Sequence, residues 1–75
     1  MTLEEAQIHL EYVKANKPSF LKENGITESI IADEALIAEA AEIATQTHWG
    51  AADVSEEDLF NSTLTRLIEE RKLNG

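Results

Sequence analysis

The chain has no cysteine, and its 75 residues include only one proline, three glycines and four aromatic side chains. Without thiols it has neither a disulfide framework nor a cysteine nucleophile. Ten of its 32 hydrophobic residues are alanines, so large side chains for a core are scarce. A chain this short forms one domain at most, and without disulfides self-association is a common way to complete a small core. We therefore expect residues 1–75 to form a single acidic domain that pairs as a homodimer.

Basic residues are missing from the middle of the chain. No Lys or Arg occurs between Glu23 and Thr65, whereas ten of the 15 acidic residues lie in that stretch, so the net charge of −9 belongs to the centre. The negative electrostatic field of this stretch repels nucleic acid and anionic lipid and favours a basic protein partner. A DNA-binding helix-turn-helix is not expected, because its phosphate contacts would require Lys and Arg in the central helices.

Long apolar runs are missing as well. The longest, residues 35–38, is far shorter than the roughly 20 residues that a membrane span needs. The first five residues include Glu4 and Glu5, where a signal peptide would carry basic residues, and no apolar segment follows them. We therefore expect a soluble, cytoplasmic protein that does not contact a membrane.

Start and stop signals predict two helices in the first third of the chain. Thr2, followed three residues later by Glu5, forms a capping box, and the helical pattern continues to about Asn16. Pro18 suits the first turn of a second, short helix. Gly25, preceded by asparagine, supplies the left-handed residue that ends it.

The centre allows two interpretations. Thr27 caps a helix that either continues over residues 28–48 or breaks near residue 32. A continuous helix would place Asp33 within its apolar arc, where an unpaired carboxylate is costly. We therefore favour a break in which Asp33 caps a new helix over residues 34–48 that stops at Gly50.

The last helix begins after Ser55, whose side chain can cap it, and acidic residues in the first turn complement the positive end of the helix. No alternating strand pattern occurs anywhere in the sequence. The sequence therefore predicts an all-α fold, a compact bundle of three main helices plus one or two short ones.

The first helix is apolar on two sides. One side, expected in the core, carries Leu3, Ala6, Leu10 and Val13. The opposite stripe follows an i, i+4, i+7 progression and consists of Ile8, Tyr12 and Ala15. This stripe is either enclosed because the helix lies between two others, or it is a candidate dimer or partner interface.

The acids form a candidate surface for a basic partner. Glu39 and Glu42 share the polar side of the central helix, and Glu28 would join them if that helix were continuous. Glu56 and Glu57 begin the last helix. Neighbours three or four residues apart on a helix are separated by roughly 5 to 6 Å, comparable to successive phosphates on a nucleic acid strand, so these acids could mimic nucleic acid. The alternative is a solvated acidic face that only keeps the protein soluble.

Trp49 and Arg71 each allow a structural interpretation and a functional one. We expect Trp49 in the core, but an exposed Trp49 beside the Gly50, Ala51 and Ala52 loop would be a candidate binding hot spot. Arg71 lies within the apolar arc of the last helix near its end. There it is expected to extend toward solvent or to pair with an acid from the central segment.

Catalysis and metal binding are not expected. The two histidines, His9 and His48, lie on separate predicted helices, and the chain has no glycine-rich phosphate loop and no Asp-Ser-Leu site for a phosphopantetheine arm. No cofactor is predicted. The sequence favours a non-enzymatic protein-protein interaction module, inhibitor- or antitoxin-like, that docks its acidic face on a basic partner. The alternative is a structural or assembly subunit that acts by hydrophobic self-association.

Overall fold

The computed structural model describes residues 1–50 and 53–74, with the side chains of 72–74 excepted. Within these ranges the chain forms five helices and no β-strand, which confirms the all-α prediction. The helices are α1 (Leu3–Asn16), α2 (Pro18–Glu23), α3 (Glu28–Ile31), α4 (Glu34–Gly50) and α5 (Glu56–Asn74). The three longest are α1, α4 and α5, and no described helix is long and apolar enough to cross a membrane.

The predicted capping box of α1 and the predicted glycine stop after α2 are present, whereas no side-chain hydrogen bond caps the beginning of α2. The Thr2 hydroxyl accepts a hydrogen bond from the Glu5 N–H at 3.1 Å, and the Glu5 carboxylate accepts one from the Thr2 N–H at 2.9 Å. This reciprocal pair satisfies two backbone donors that the first turn of a helix leaves unpaired. After α2, Gly25 adopts a φ of 70°, the left-handed conformation that glycine takes without steric cost.

The central helix breaks where the sequence predicted it. Asp33 Oδ1 accepts a hydrogen bond from the Leu36 N–H at 3.2 Å, so Asp33 caps α4 and α3 ends two residues earlier. The other end differs from the prediction, because Gly50 is the last helical residue and not a left-handed stop. Among the described residues outside this last turn, none lies within 4 Å of the position that a Cβ of Gly50 would occupy. Ala51 and Ala52 of the expected loop lie outside the described residues.

The core lies chiefly between α4 and α5, and α1 and α3 also pack on α4. The small side chains of Ala40 and Ala44 are completely buried on α4, where they let neighbouring helices approach closely. The largest fully buried side chains are Phe60, Leu10, Ile37 and Leu64. On α1 the predicted inner side is correct, because Ala6, Leu10 and Val13 are buried and Leu3 packs against the core.

Candidate partner-binding surface

Two of the predicted acidic-face residues pair with basic residues of this chain. Because the helix breaks at Asp33, Glu28 lies on α3 and does not extend the polar side of α4. Its carboxylate lies 2.8 Å from the Lys14 ammonium, and this hydrogen bond raises the pKa of Lys14. Glu39 accepts a hydrogen bond from Arg71 at 2.5 Å, the internal pair expected for that arginine. Both pairs are exposed, so they neutralise charge more than they stabilise the fold.

Glu56, a third residue of the predicted acidic face, forms an ion pair with the ammonium group of Met1. The Met1 ammonium donates hydrogen bonds to the Glu56 carboxylate at 2.8 Å and to the Thr45 hydroxyl. That hydroxyl also lies 3.0 Å from the Glu56 carboxylate. The ammonium holds the pKa of Glu56 below its usual value and outweighs desolvation, which acts in the opposite direction. Glu56 therefore joins residue 1 to α4 and α5, and its carboxylate is already occupied.

The remaining two acids are differently placed. Glu42 and Glu57 are exposed, and neither forms a salt bridge with any described side chain. Each lies in a groove beside an exposed large hydrophobic residue. Glu42 lines a groove with Trp49, and Glu57 lines another with Tyr12. The structure thus brings Glu57 next to the apolar stripe of α1 that the sequence treated as a separate interface, and Glu42 next to Trp49.

The apolar stripe of α1 is open. Ile8 is 63% exposed and Tyr12 is 58% exposed, and Ala15, one turn farther along, is also exposed. The alternative in which α1 is enclosed on both sides is therefore wrong. The physical reason is the packing of α1, which contacts α4 through its inner side and α2 near its end and leaves the outer side uncovered by any described element.

This stripe forms one side of a groove between α1 and the beginning of α5. The groove consists of two adjoining depressions of about 370 and 320 Å³ that share His9, Tyr12 and Glu57. His9 joins the two helices, because its ring Nε2 donates to Asn61 Oδ1 at 2.9 Å and its ring packs edge-on against Phe60 at 5.7 Å. We call this surface the α1–α5 groove and define it by Glu5, Ile8, His9, Tyr12, Lys17, Glu57, Asp58 and Asn61.

Acids predominate among the charged groups of the α1–α5 groove. Glu5, Glu57 and Asp58 line it and form no salt bridge with a described side chain, while Glu56 is neutralised by the Met1 ammonium. Lys17, which follows the last residue of α1, is the one Lys or Arg among the residues described there. The groove therefore combines an exposed apolar stripe with a net negative rim.

Trp49 is 83% exposed, so the expectation that it lies in the core is wrong. At 100° per residue, Trp49 points about 150° away from the centre of the buried arc of α4. His48, one residue earlier, falls near the edge of that arc and is partly buried. Because this angular count uses only sequence positions, it could have placed Trp49 outside the core without the structure. Trp49 lines a groove between α4 and the start of α1 that also contains Leu3, Ala38, Ala41 and Glu42.

Among the described residues, no group of three or more His, Asp or Glu side chains could hold a metal ion. His9 and His48 lie on α1 and α4, as expected. Comparison of the chain with family models, with curated proteins and with solved structures finds no match.

Proposed function

We propose that this protein is a non-enzymatic interaction module that binds a basic protein partner, in the manner of an inhibitor or antitoxin. The observation that carries the proposal is the shared location of exposed apolar side chains and acids. Ile8 and Tyr12 lie in one groove with Glu57, and Trp49 lies in another with Glu42. Neither acid is neutralised by a described side chain of the chain itself.

The two kinds of group contribute differently to binding. Burial of aromatic and aliphatic side chains supplies most of the affinity of a protein interface, and complementary charge supplies the rate of encounter and the choice of partner. Glu42 and Glu57 supply the acidic contacts to the partner. The other three acids, Glu28, Glu39 and Glu56, are already paired with Lys14, Arg71 and the Met1 ammonium. We further propose a cytoplasmic location, which the absence of cysteine supports.

Capture of partners at two salt concentrations tests the proposal. The immobilised protein is incubated with lysate at about 0.1 M and about 1 M salt, over which the Debye length falls from about 10 Å to about 3 Å. We expect basic proteins to be retained at low salt and lost at high salt. Retention of acidic or neutral proteins only, or retention of the same proteins at both salt concentrations, would contradict the proposal.

A matched pair of double variants separates a defined surface from net charge. Glu42→Lys with Glu57→Lys reverses the two groove acids. Glu23→Lys with Glu70→Lys makes the same change in net charge at exposed positions that line neither groove. We expect the first double variant to lose the captured partner and the second to keep most of it. Equal loss in both would show that only the overall charge matters.

Self-association is the second candidate function, and the exposure of the α1 stripe favours it. In this alternative Ile8, Tyr12 and Ala15 pack against a second copy, and the acidity only keeps the assembly soluble. Light scattering at high salt, where repulsion between two chains of charge −9 is screened, tests the homodimer. A dimer that Tyr12→Ser dissociates would support self-association, and a monomer at every concentration would exclude it.

A further inference from the structure

We propose that the α1–α5 groove binds an amphipathic helix of the basic partner, with apolar residues on the α1 stripe and cationic residues over the acidic rim. The inference rests on the proposed function and specifies the site and the kind of segment that occupies it. It concerns one groove only and makes no claim for the groove beside Trp49.

The shape of the groove suits a helix. Ile8 and Tyr12 lie one turn apart on the same side of α1, at roughly 5 to 6 Å, which matches the spacing of apolar residues at i and i+4 on a partner helix. The 14 residues of α1 extend for about 20 Å, so several turns of a docked helix fit along it. A helix in this position would add a further element to the bundle, as in other helix-in-groove complexes.

The charges of the groove favour a cationic segment over a second copy of this chain. The groove contains the acids Glu5, Glu57 and Asp58, and Lys17 is the one Lys or Arg among its described residues. If two copies paired through the stripe, each would bring the same net negative rim, with Glu5, Glu57 and Asp58 against one lysine, into the interface. Like charges across an interface suppress association, whereas lysines of a partner would relieve the repulsion within the rim.

The distribution of charge along the groove also predicts where the cations lie. Glu5 and Glu57 line the depression that has no Lys or Arg among its described residues. Asp58 shares the other depression with Lys17, which follows the last residue of α1. A docked helix therefore places its lysines toward Glu5 and Glu57, away from Lys17.

A synthetic helical peptide of leucine and lysine, with leucines at i, i+3 and i+4 spacing, serves as the probe for the full chain. A scrambled peptide of the same composition is the control. Backbone amide shifts in nuclear magnetic resonance spectra show where each peptide binds, and calorimetry gives the dissociation constant. We expect the largest shifts at Ile8, Tyr12 and Asn61, and at least tenfold weaker binding of the scrambled peptide.

Matched variants then test the groove. Glu57→Lys and Tyr12→Ser are each expected to weaken binding of the amphipathic peptide about tenfold, the effect of losing roughly 1.4 kcal/mol of binding free energy. Glu42→Lys and Trp49→Ser make comparable changes in the other groove and are expected to change the affinity less than about threefold, a shift well under 1 kcal/mol. All four positions are exposed, so circular dichroism should show an unchanged fold.

Several results would overturn this inference. Shifts centred on Trp49 would place the peptide in the other groove and leave the proposed function standing. Equal weakening by Glu42→Lys and Glu57→Lys would mean that the peptide responds to net charge alone. Absence of peptide binding, or dimerisation through Tyr12, would also refute a cationic helix in this groove, while the lysate experiment would still decide separately whether a basic partner exists.

Discussion

The guanidinium of Arg71 on α5 donates a hydrogen bond to the carboxylate of Glu39 on α4, across 32 positions of sequence. The pair joins the last part of α5 to the middle of α4. It also neutralises one of the acids that the sequence assigned to partner binding. The acidic character of the centre is therefore partly compensated by the basic residues at the two ends of the chain.

Removal of this pair should have little effect on stability. Both side chains are about half exposed, and exposed ion pairs contribute roughly 0 to 1 kcal/mol. We expect Arg71→Ala to lower the free energy of unfolding by less than about 1 kcal/mol in urea titrations. Arg66→Ala, which removes a looser contact of 3.9 Å with Glu70 on the same helix, is the control. A markedly larger loss in Arg71→Ala would show that the pair is a main support of the α4 and α5 packing.

The break between α3 and α4 depends on a single cap. Asp33→Ala removes the acceptor for the Leu36 N–H and is expected to destabilise the protein by about 1 kcal/mol. Asp33→Ser keeps an oxygen that can accept the same hydrogen bond, so its free energy of unfolding should fall much less. Urea unfolding followed by circular dichroism measures both variants. If the alanine variant were as stable as the original, the side chain of Asp33 would not be what maintains the break.

The core should tolerate truncation poorly. Phe60 is fully buried and contacts the ring of His9, and Phe→Ala in a core typically costs about 3 to 5 kcal/mol. That loss is a large part of the stability of a small domain, so we expect Phe60→Ala to be largely unfolded at room temperature. Leu59→Ala, at a partly buried neighbour on α5, should remain folded with a lower unfolding midpoint. Thermal unfolding by circular dichroism compares the two, and a native-like midpoint for Phe60→Ala would contradict the core described here.

Glu56 should make stability depend on acid pH. Its pKa lies below the ordinary 4.5 in the folded protein, because the Met1 ammonium stabilises the ionised form. A carboxyl with a lowered pKa contributes its full stabilisation above the unfolded value and loses it as the pH falls through the folded value. The difference in free energy of unfolding between the original protein and Glu56→Gln should therefore be largest near neutral pH and shrink below pH 4.5.

The control for this pH dependence is Glu57→Gln. Glu57 is the next residue on α5 and makes no salt bridge with a described side chain, so this variant removes one carboxylate without disturbing the Met1 contact. Denaturant titrations at neutral and acid pH supply the comparison. A stability difference for Glu56→Gln that does not change with pH would contradict the role assigned to the Met1 contact.

The helices were predictable from the sequence because their signals are local. Thr2 with Glu5, Gly25 and Asp33 act within four residues, and the structure contains all of these caps or stops. The buried side of α1 followed from helical periodicity in the same way. Gly50 was the exception, because a glycine after a helix permits a left-handed stop but does not require one.

The site was less predictable, because it depends on contacts between distant segments. The sequence selected the five acids, but no local pattern shows that Lys14, Arg71 and the first residue neutralise three of them. The stripe of Ile8 and Tyr12 was visible, whereas its position opposite Glu57 required the packing of α1 beside α5. The exposure of Trp49 follows from an angular count, but the general tendency of tryptophan to be buried suggested the opposite.

The central claim is that exposed apolar residues and acids act together to bind a cationic partner. Calorimetric titration of the leucine and lysine peptide into the original protein and into Ile8→Ser with Tyr12→Ser, at about 0.1 M and about 1 M salt, tests it most directly. We predict that the original protein binds the peptide at low salt. Its affinity should fall at least tenfold at high salt, and by as much when the two apolar residues are replaced. An affinity that is independent of salt, or equal in the double variant, would contradict the claim.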